Sequence, residues 1–150
     1  MDRSKNGCKR HILTDATGVP LVVQTTPANV PDQNQLESLL DALPTIRQQR
    51  GRPRRKPDAI LGDRAYGTKE KIKMVESRRI ESLLAERSDI NHGSGLGTLR
   101  YVVERTLSCI GHFRRLKLCY ERWGEHLQGF HDLAACLLTR TRWANRVLWF

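Results

Sequence analysis

Hydrophobic and polar positions recur with two different periods along the chain, and the changes of period predict its elements. "KRHILTD" (9–15) and "PLVVQTTP" (20–27) are short β-branched runs, joined by "ATGV" with Gly18 free to take φ > 0. They predict a β-hairpin. In "VPDQNQLESLLDALP" the period becomes helical, with Leu36, Leu39, Leu40 and Leu43 on one face. Asp32 is expected as its N-cap, Gln35 as the capping-box partner, and Pro44 lies just past the end. "AILGD" (59–63) reads as a short apolar strand ending in an acid, and "TKEKIKMVESR" (68–78) as a basic helix. "RIESLLAE" (79–86) reads as a strand after the Arg78–Arg79 break, with helix continuation as the alternative. A loop, "SDINHGSGLG" (88–97), leads to a long helix over 99–121 and a last one near 125–149. The last carries Leu127, Phe130, Leu133, Ala134, Leu137 and Leu138 at helical spacing. The order is that of a mixed α/β protein, and 150 residues suit one domain.

Charge changes the picture. Twenty-six Lys and Arg against sixteen Asp and Glu give a formal charge of +10. That excess favours polyanions, chiefly nucleic acid, through neutralisation of phosphates and release of counterions. No apolar run approaches the ~18 residues a membrane helix needs, so no membrane partner is expected. The opening "MDRSKNGCKR" is polar throughout, and a cytoplasmic location is expected. Cys8, Cys109, Cys119 and Cys136 have neither C-x-x-C nor zinc-finger spacing and read as free thiols. The segment "TIRQQRGRPRRKPD" (45–58) reads as a mobile basic loop. Within it "RGRP", with Arg50 and Arg52, matches the core of a minor-groove reading motif, although a solvated loop touching phosphate is the plainer reading. The five histidines lack metal-ligand spacing and are expected at the surface or core edge. His126 and Trp123 are expected to pack, as are Trp143, Trp149 and Phe150 unless the terminus frays.

On the long helix, Leu99, Val102, Val103, Thr106, Leu107, Ile110 and Phe113 fill one arc. Arg100, Glu104, Gly111 and Arg115 lie on its flank. From there Glu104 can reach the carboxyl end of a neighbouring strand, where Asp63 sits and where α/β sheets collect ligands. Two acids aimed at one point need a cation between them, and Mg²⁺ is the hard, oxygen-seeking candidate. The plain alternative is an Arg100–Glu104 helix ion pair worth a few tenths of a kcal/mol.

The string from "DRSKNGCKRHILTD" to "LLDALP", then "GDRAYG", then "RYVVERT" with "GHFRRLKLCYER", closely resembles the carboxyl-terminal part of bacterial insertion-sequence transposases, the DDE enzymes of RNase H-like fold. The resemblance runs from about Asp2 to about Leu138. It implies that Asp63 is the second catalytic acid and Glu104 the third, both metal-binding, with Arg100 the arginine four residues before it. It also implies DNA as partner and a divalent metal that activates water or a DNA 3′-hydroxyl for attack on a phosphodiester. Where the wider pattern has a tyrosine and a lysine, this chain has Gly97 and Gly111. Arg114, Arg115 and Lys117 are the cations expected to replace the lysine's contact with DNA.

By the same resemblance 9–15 is the second strand of that fold, 20–27 the third and 59–63 the fourth. The first, central strand and its acid would precede residue 9, where only "MDRSKNGC" stands. An incomplete sheet is therefore expected, with a gap or a direct pairing of 9–15 with 59–63, and with marginal stability. The implied function is a transposase fragment, inactive alone, completed by an upstream-frame product or a full-length transposase. The alternatives are an inactive DNA-binding or dimerising fragment that modulates a full-length transposase, and a generic basic nuclease.

Overall fold

The structure, a computed structural model, describes residues 7–47, 51–84 and 97–147, apart from the side chains of 64, 97–100 and 145–147. The chain divides into two compact units, one of Met1–Asn29 with Gly97–Phe150 and the other of Val30–Leu96.

The first unit begins with the hairpin. Strand β1 (Cys8–Thr14) pairs antiparallel with β2 (Pro20–Pro27), with Ile12 opposite Val23. Its turn is built by one carboxylate: Asp15 accepts hydrogen bonds from the backbone N–H of Thr17 and Val19 and from the Thr17 hydroxyl, at 2.7–2.9 Å. Gly18 takes φ +86°, open to glycine at little cost.

Helix α3 (Gly97–Gly111) meets this turn with its Thr106 face. The Thr106 hydroxyl donates to the Gly18 carbonyl at 2.8 Å, and Arg142 donates to the Thr17 carbonyl at 2.7 Å. Arg142 belongs to α5 (Gly124–Val147). The core joins Val23, Ile110, Leu116, Leu127 and Ala134, flanked by Ile12, Phe113, Phe130, Ala135 and Leu138. One side chain of α5 also covers the hairpin edge. Gln128 donates to the Val23 carbonyl at 2.7 Å and accepts from the Thr25 N–H at 2.9 Å. The free edge of β2 is thus partly satisfied by a helix amide that mimics a strand.

The single helix expected over 99–121 is two. Gly111, a weak helix former, ends α3. Phe113 then takes an extended conformation (φ −66°, ψ 122°) and packs against the core, before the short α4 (Arg114–Lys117). The apolar arc is only partly buried: Thr106 and Ile110 are fully enclosed, whereas Val102, Val103 and Leu107 are half-buried. Two of the histidines expected at the surface or core edge lie inside. His11 bonds Thr26 Oγ1 at 2.9 Å, and His131 holds the Leu127 carbonyl at 2.8 Å. His126 and Trp123 were expected to pack, but both are exposed, Trp123 at 71%; Trp143 too is 68% exposed. Trp149, Phe150 and His92 lie outside the described residues.

The second unit opens with a 3-10 turn over Asp32–Asn34 and then α1 (Gln35–Asp41). The capping box is not formed: Asp32 is the first residue of the turn, and Asn34 precedes α1 without a side-chain cap bond. The leucine face is as expected, with Leu36, Leu39 and Leu40 buried.

Strand β3 (Ala59–Gly62) is joined by α2 (Lys69–Ser77) to β4 (Glu81–Leu84), which runs parallel to it. Thr68 caps α2 by accepting from the Lys71 N–H. The helix stops in a Schellman motif: Ile80 N–H reaches the Val75 carbonyl, Arg79 N–H the Glu76 carbonyl, and Arg79 takes φ +57°. Val75 and Ile80 are both buried, the apolar contact this motif favours, so the chain leaves as a strand.

The basic loop is more tied than expected. Ile46 and Arg54 exchange two backbone bonds of 2.8 Å, and Gly51 turns at φ +97°. Lys56 donates to the carbonyls of Arg78 and Arg79, where the negative end of α2 attracts a cation. Arg50 and the loop 88–96 lie outside the described residues. The described strands form two two-stranded sheets, β1 with β2 and β3 with β4.

Candidate functional site

Asp63 follows the last residue of β3, at the carboxyl end of a parallel strand, where a β-α-β unit presents its functional groups. Gly62 before it lies opposite Leu84 of β4, and a Cβ there would come within 2.5 Å of Leu84 Cδ2, so the tip of that side chain would have to shift to admit one. The Asp63 carbonyl accepts the Tyr66 N–H at 2.9 Å, closing a 3-10 turn over Arg64–Tyr66.

The Asp63 side chain is exposed, while Tyr66 beside it is half-buried. The Tyr66 hydroxyl is pushed up to about 12, first by burial and then by the negative charges of Asp32 and Asp63. Asp32, read from the sequence as a helix cap alone, is therefore a charged neighbour of the same phenol as Asp63. Nothing in the spacing of residues 32 and 63 announced this. The arrangement gathers negative charge and hard oxygen donors, suited to a divalent cation. Among the described residues no three His, Cys, Asp or Glu side chains come together as a metal-binding group.

Glu104 is exposed on α3 and bonds no described residue. Its direction is set by the opposite face of the helix. Thr106, two residues on and about 200° around the helix, is anchored to Gly18 and accepts a further bond from Arg142 at 3.2 Å. Arg100 lies in the first turns of α3, with its side chain outside the described residues.

The expected DNA-facing cations do not all stand alike. Arg114 and Lys117 are exposed on α4. Arg115 is committed locally, with Nη2 2.6 Å from Glu121 Oε1 and its guanidinium carbon 4.7 Å from the centroid of Phe130. Arg52 is exposed in the second unit. Gly111, where a lysine was expected by resemblance, has room for a side chain: the nearest atom to a Cβ there is Arg10 Nη1, at 3.7 Å. Arg10, missed in the sequence, donates to the Leu116 carbonyl at 2.5 Å and so ties β1 to α4.

Among the described residues, no helix is long and apolar enough to cross a membrane. No solved structure matches the chain. A Burkholderia cepacia protein named as a transposase for insertion sequence element IS402 is 44% identical over 137 residues, which is 91% of this chain and 64% of that protein. The chain thus spans less than two thirds of the relative's length. Residues 2–139 match the family described as Transposase DDE domain, and with nearly the whole chain inside that match, the protein belongs to this transposase family.

Proposed function

We propose that the chain is part of an insertion-sequence transposase and acts on DNA, with Asp63 and Glu104 as metal-binding carboxylates. The observation that carries this reading is the setting of Asp63. It is an exposed acid at the carboxyl end of a parallel strand, sharing a half-buried tyrosine with Asp32, in a chain of the transposase family. An exposed Glu104 with no bond to a described residue is the second hard donor, and both fit Mg²⁺. When bound, the divalent metal supplies Lewis-acid stabilisation of phosphoryl oxygens and lowers the pKa of the attacking water or hydroxyl. The residues of this chain have simpler tasks. Thr106 and Arg142 fix the helix that displays Glu104, Gly62 lets Asp63 emerge at the strand end, and the cations Arg100, Arg114, Arg115, Lys117, Arg50 and Arg52 neutralise DNA phosphates.

The RNase H-like fold implied by the sequence is the architecture we propose for the complete catalytic domain. Its central strand and first acid are proposed to lie outside these 150 residues, with an upstream-frame product or a full-length transposase as partner. That the chain spans 64% of its transposase relative supports this reading. The chain alone is then inactive, and we place it in the cytoplasm.

The test is DNA binding and cleavage by the chain alone. Duplex affinity is expected to fall steeply between about 50 and 200 mM salt, and element-end DNA should stay uncut in Mg²⁺. Salt-independent binding contradicts the DNA reading. Cleavage abolished by Glu104→Ala contradicts an incomplete acid set.

A second reading has its own observation. Trp123, Leu133 and Trp143 are 71%, 56% and 68% exposed on or beside α5. Such apolar exposure suits a fragment that pairs with a full-length transposase and modulates it. Inhibition of an active transposase by the Asp63→Ala, Glu104→Ala chain would favour this reading over a catalytic one.

A further inference from the structure

Arg10 of β1 carries a charge that the fold leaves without an acid. It is half-buried, and among the described residues it forms no ion pair. Its Nη2 donates to the Leu116 carbonyl at 2.5 Å, in the short α4, where the carbonyl end attracts a cation. Its Nη1 lies 3.7 Å from where a Cβ of Gly111 would stand. Beyond the adjoining turn of α3, no other described atom comes within 4 Å of that position, so the space over Gly111 is open apart from the guanidinium. The opening lies on a particular flank. Gly111 follows Glu104 by seven residues, about two helical turns, so the two positions face the same side of α3, about 10 Å apart along its axis. Glu104 is exposed there, and α4, to which Arg10 is tied, carries Arg114 and Lys117 exposed.

We propose that Arg10 binds a backbone phosphate of DNA lying along α3, through Nη1 over the open surface of Gly111; this rests on the reading of Glu104 as a metal-binding carboxylate of a DNA-directed chain. A phosphate oxygen over Gly111 can accept from Nη1 while Nη2 keeps the Leu116 carbonyl. The bond to α4 thus aims the guanidinium without using it up. Glycine at 111 lets a phosphate come close to the helix, where a larger side chain would fill the opening. A half-buried charge with no acid beside it has already lost part of its water, so an anionic partner stabilises it more than it would a fully solvated cation. A strand that passes a metal at Glu104 meets Arg10 about 10 Å further along α3. Arg10 therefore holds a phosphate neighbouring the one attacked and sets the register of the strand. It is a positioning residue and touches no reacting atom.

The test is the salt dependence of duplex binding by the full chain, read by fluorescence anisotropy in sodium chloride. Losing one phosphate contact lowers the slope of log affinity against log salt by about 0.9. Arg10→Gln, which keeps a hydrogen-bond donor, should show that drop with every duplex sequence tried. Gly111→Lys added to Arg10→Gln should restore the slope, because its ammonium enters the same opening; a residue that only ties β1 to α4 would not be replaced in this way. Phenylglyoxal labelling of the unaltered chain, mapped by mass spectrometry, needs no variant to fold. Labelling at Arg10 should fall when saturating duplex is added. An unchanged slope in Arg10→Gln, a slope that Gly111→Lys does not restore, or equal labelling with and without duplex would overturn the proposal and leave DNA binding itself standing. Absence of salt-dependent binding by the unaltered chain would overturn both.

Discussion

The two units position their carboxylates in opposite ways. Asp63 is placed by its own neighbourhood in sequence: Gly62, the Tyr66 turn, and a β-α-β unit that closes between residues 59 and 84. Glu104 is placed by contacts between distant parts of the chain, from Thr106 to Gly18 and from Arg142 to Thr17. Local placement survives damage elsewhere, because each contact costs little loop entropy. Long-range placement concentrates its dependence on a few residues. Substitutions at those residues should disturb the Glu104 region and leave the Asp63 region intact.

The largest effect is expected at Gly18. A side chain there meets both a positive φ and an overlap with Arg142, Val102 and Thr106. Gly18→Val should cost about 3 kcal/mol or more. Hydrogen exchange should show lost protection in α3 and the hairpin, with α2 and β4 unchanged. Equal loss in both regions would break the contrast.

Gln128→Leu comes next. It removes the amide that satisfies the Val23 carbonyl and the Thr25 N–H, and should destabilise by about 2 kcal/mol in a urea titration. A neutral result would mean that water replaces the amide on the β2 edge.

Proton linkage sharpens the comparison further, because His131 in the first unit and Tyr66 in the second are both shifted by burial. Burial holds the His131 imidazole below its ordinary value; its bond to the Leu127 carbonyl opposes this, and the charge of Arg10 adds to it. The unfolded chain therefore binds the proton first. The contribution of His131 is present above about pH 6.5 and is lost as pH falls through the lower folded value. The urea midpoint should decline from pH 7.5 to 5, and His131→Leu should flatten that slope. Tyr66 works at the other end. With its hydroxyl near 12, the second unit should lose stability as pH climbs from about 10 toward that value, and the phenol should ionise late in an ultraviolet titration.

The smallest effect is expected at Arg78, whose guanidinium pairs with Glu37 at 2.9 Å and Asp41 at 2.5 Å on the surface. Arg78→Ala should cost about 0.5 kcal/mol, less at high salt.

What was legible in the sequence follows the range of the forces involved. The hairpin, α1, α2 and the strand after Arg79 were readable because period, turn residues and caps act within a few positions. The break at Gly111 was not, since a helical arc continued past it, and the packing of Phe113 against the core helps turn the chain there. The cap at Asp32 failed for a related reason: the 3-10 turn already satisfies the local backbone. Asp63 and Glu104 were singled out through their motifs. Asp32 beside Tyr66, Arg10 on α4, and Gln128 on the β2 edge were not, because each is a contact between segments that sequence spacing does not encode. The same holds for His131, which belongs to the inward face of α5 but carries a polar side chain.

The central proposal is that Asp63 and Glu104 are metal-binding carboxylates, and iron-directed cleavage tests it most directly. Fe²⁺ replacing Mg²⁺, with ascorbate and peroxide, cuts the backbone beside the residues that hold it. The proposal predicts two cuts in the unaltered chain, one near residue 63 and one near residue 104, the first lost in Asp63→Ala and the second in Glu104→Ala. Cleavage at neither position, or cuts that persist in the matching variants, would contradict it.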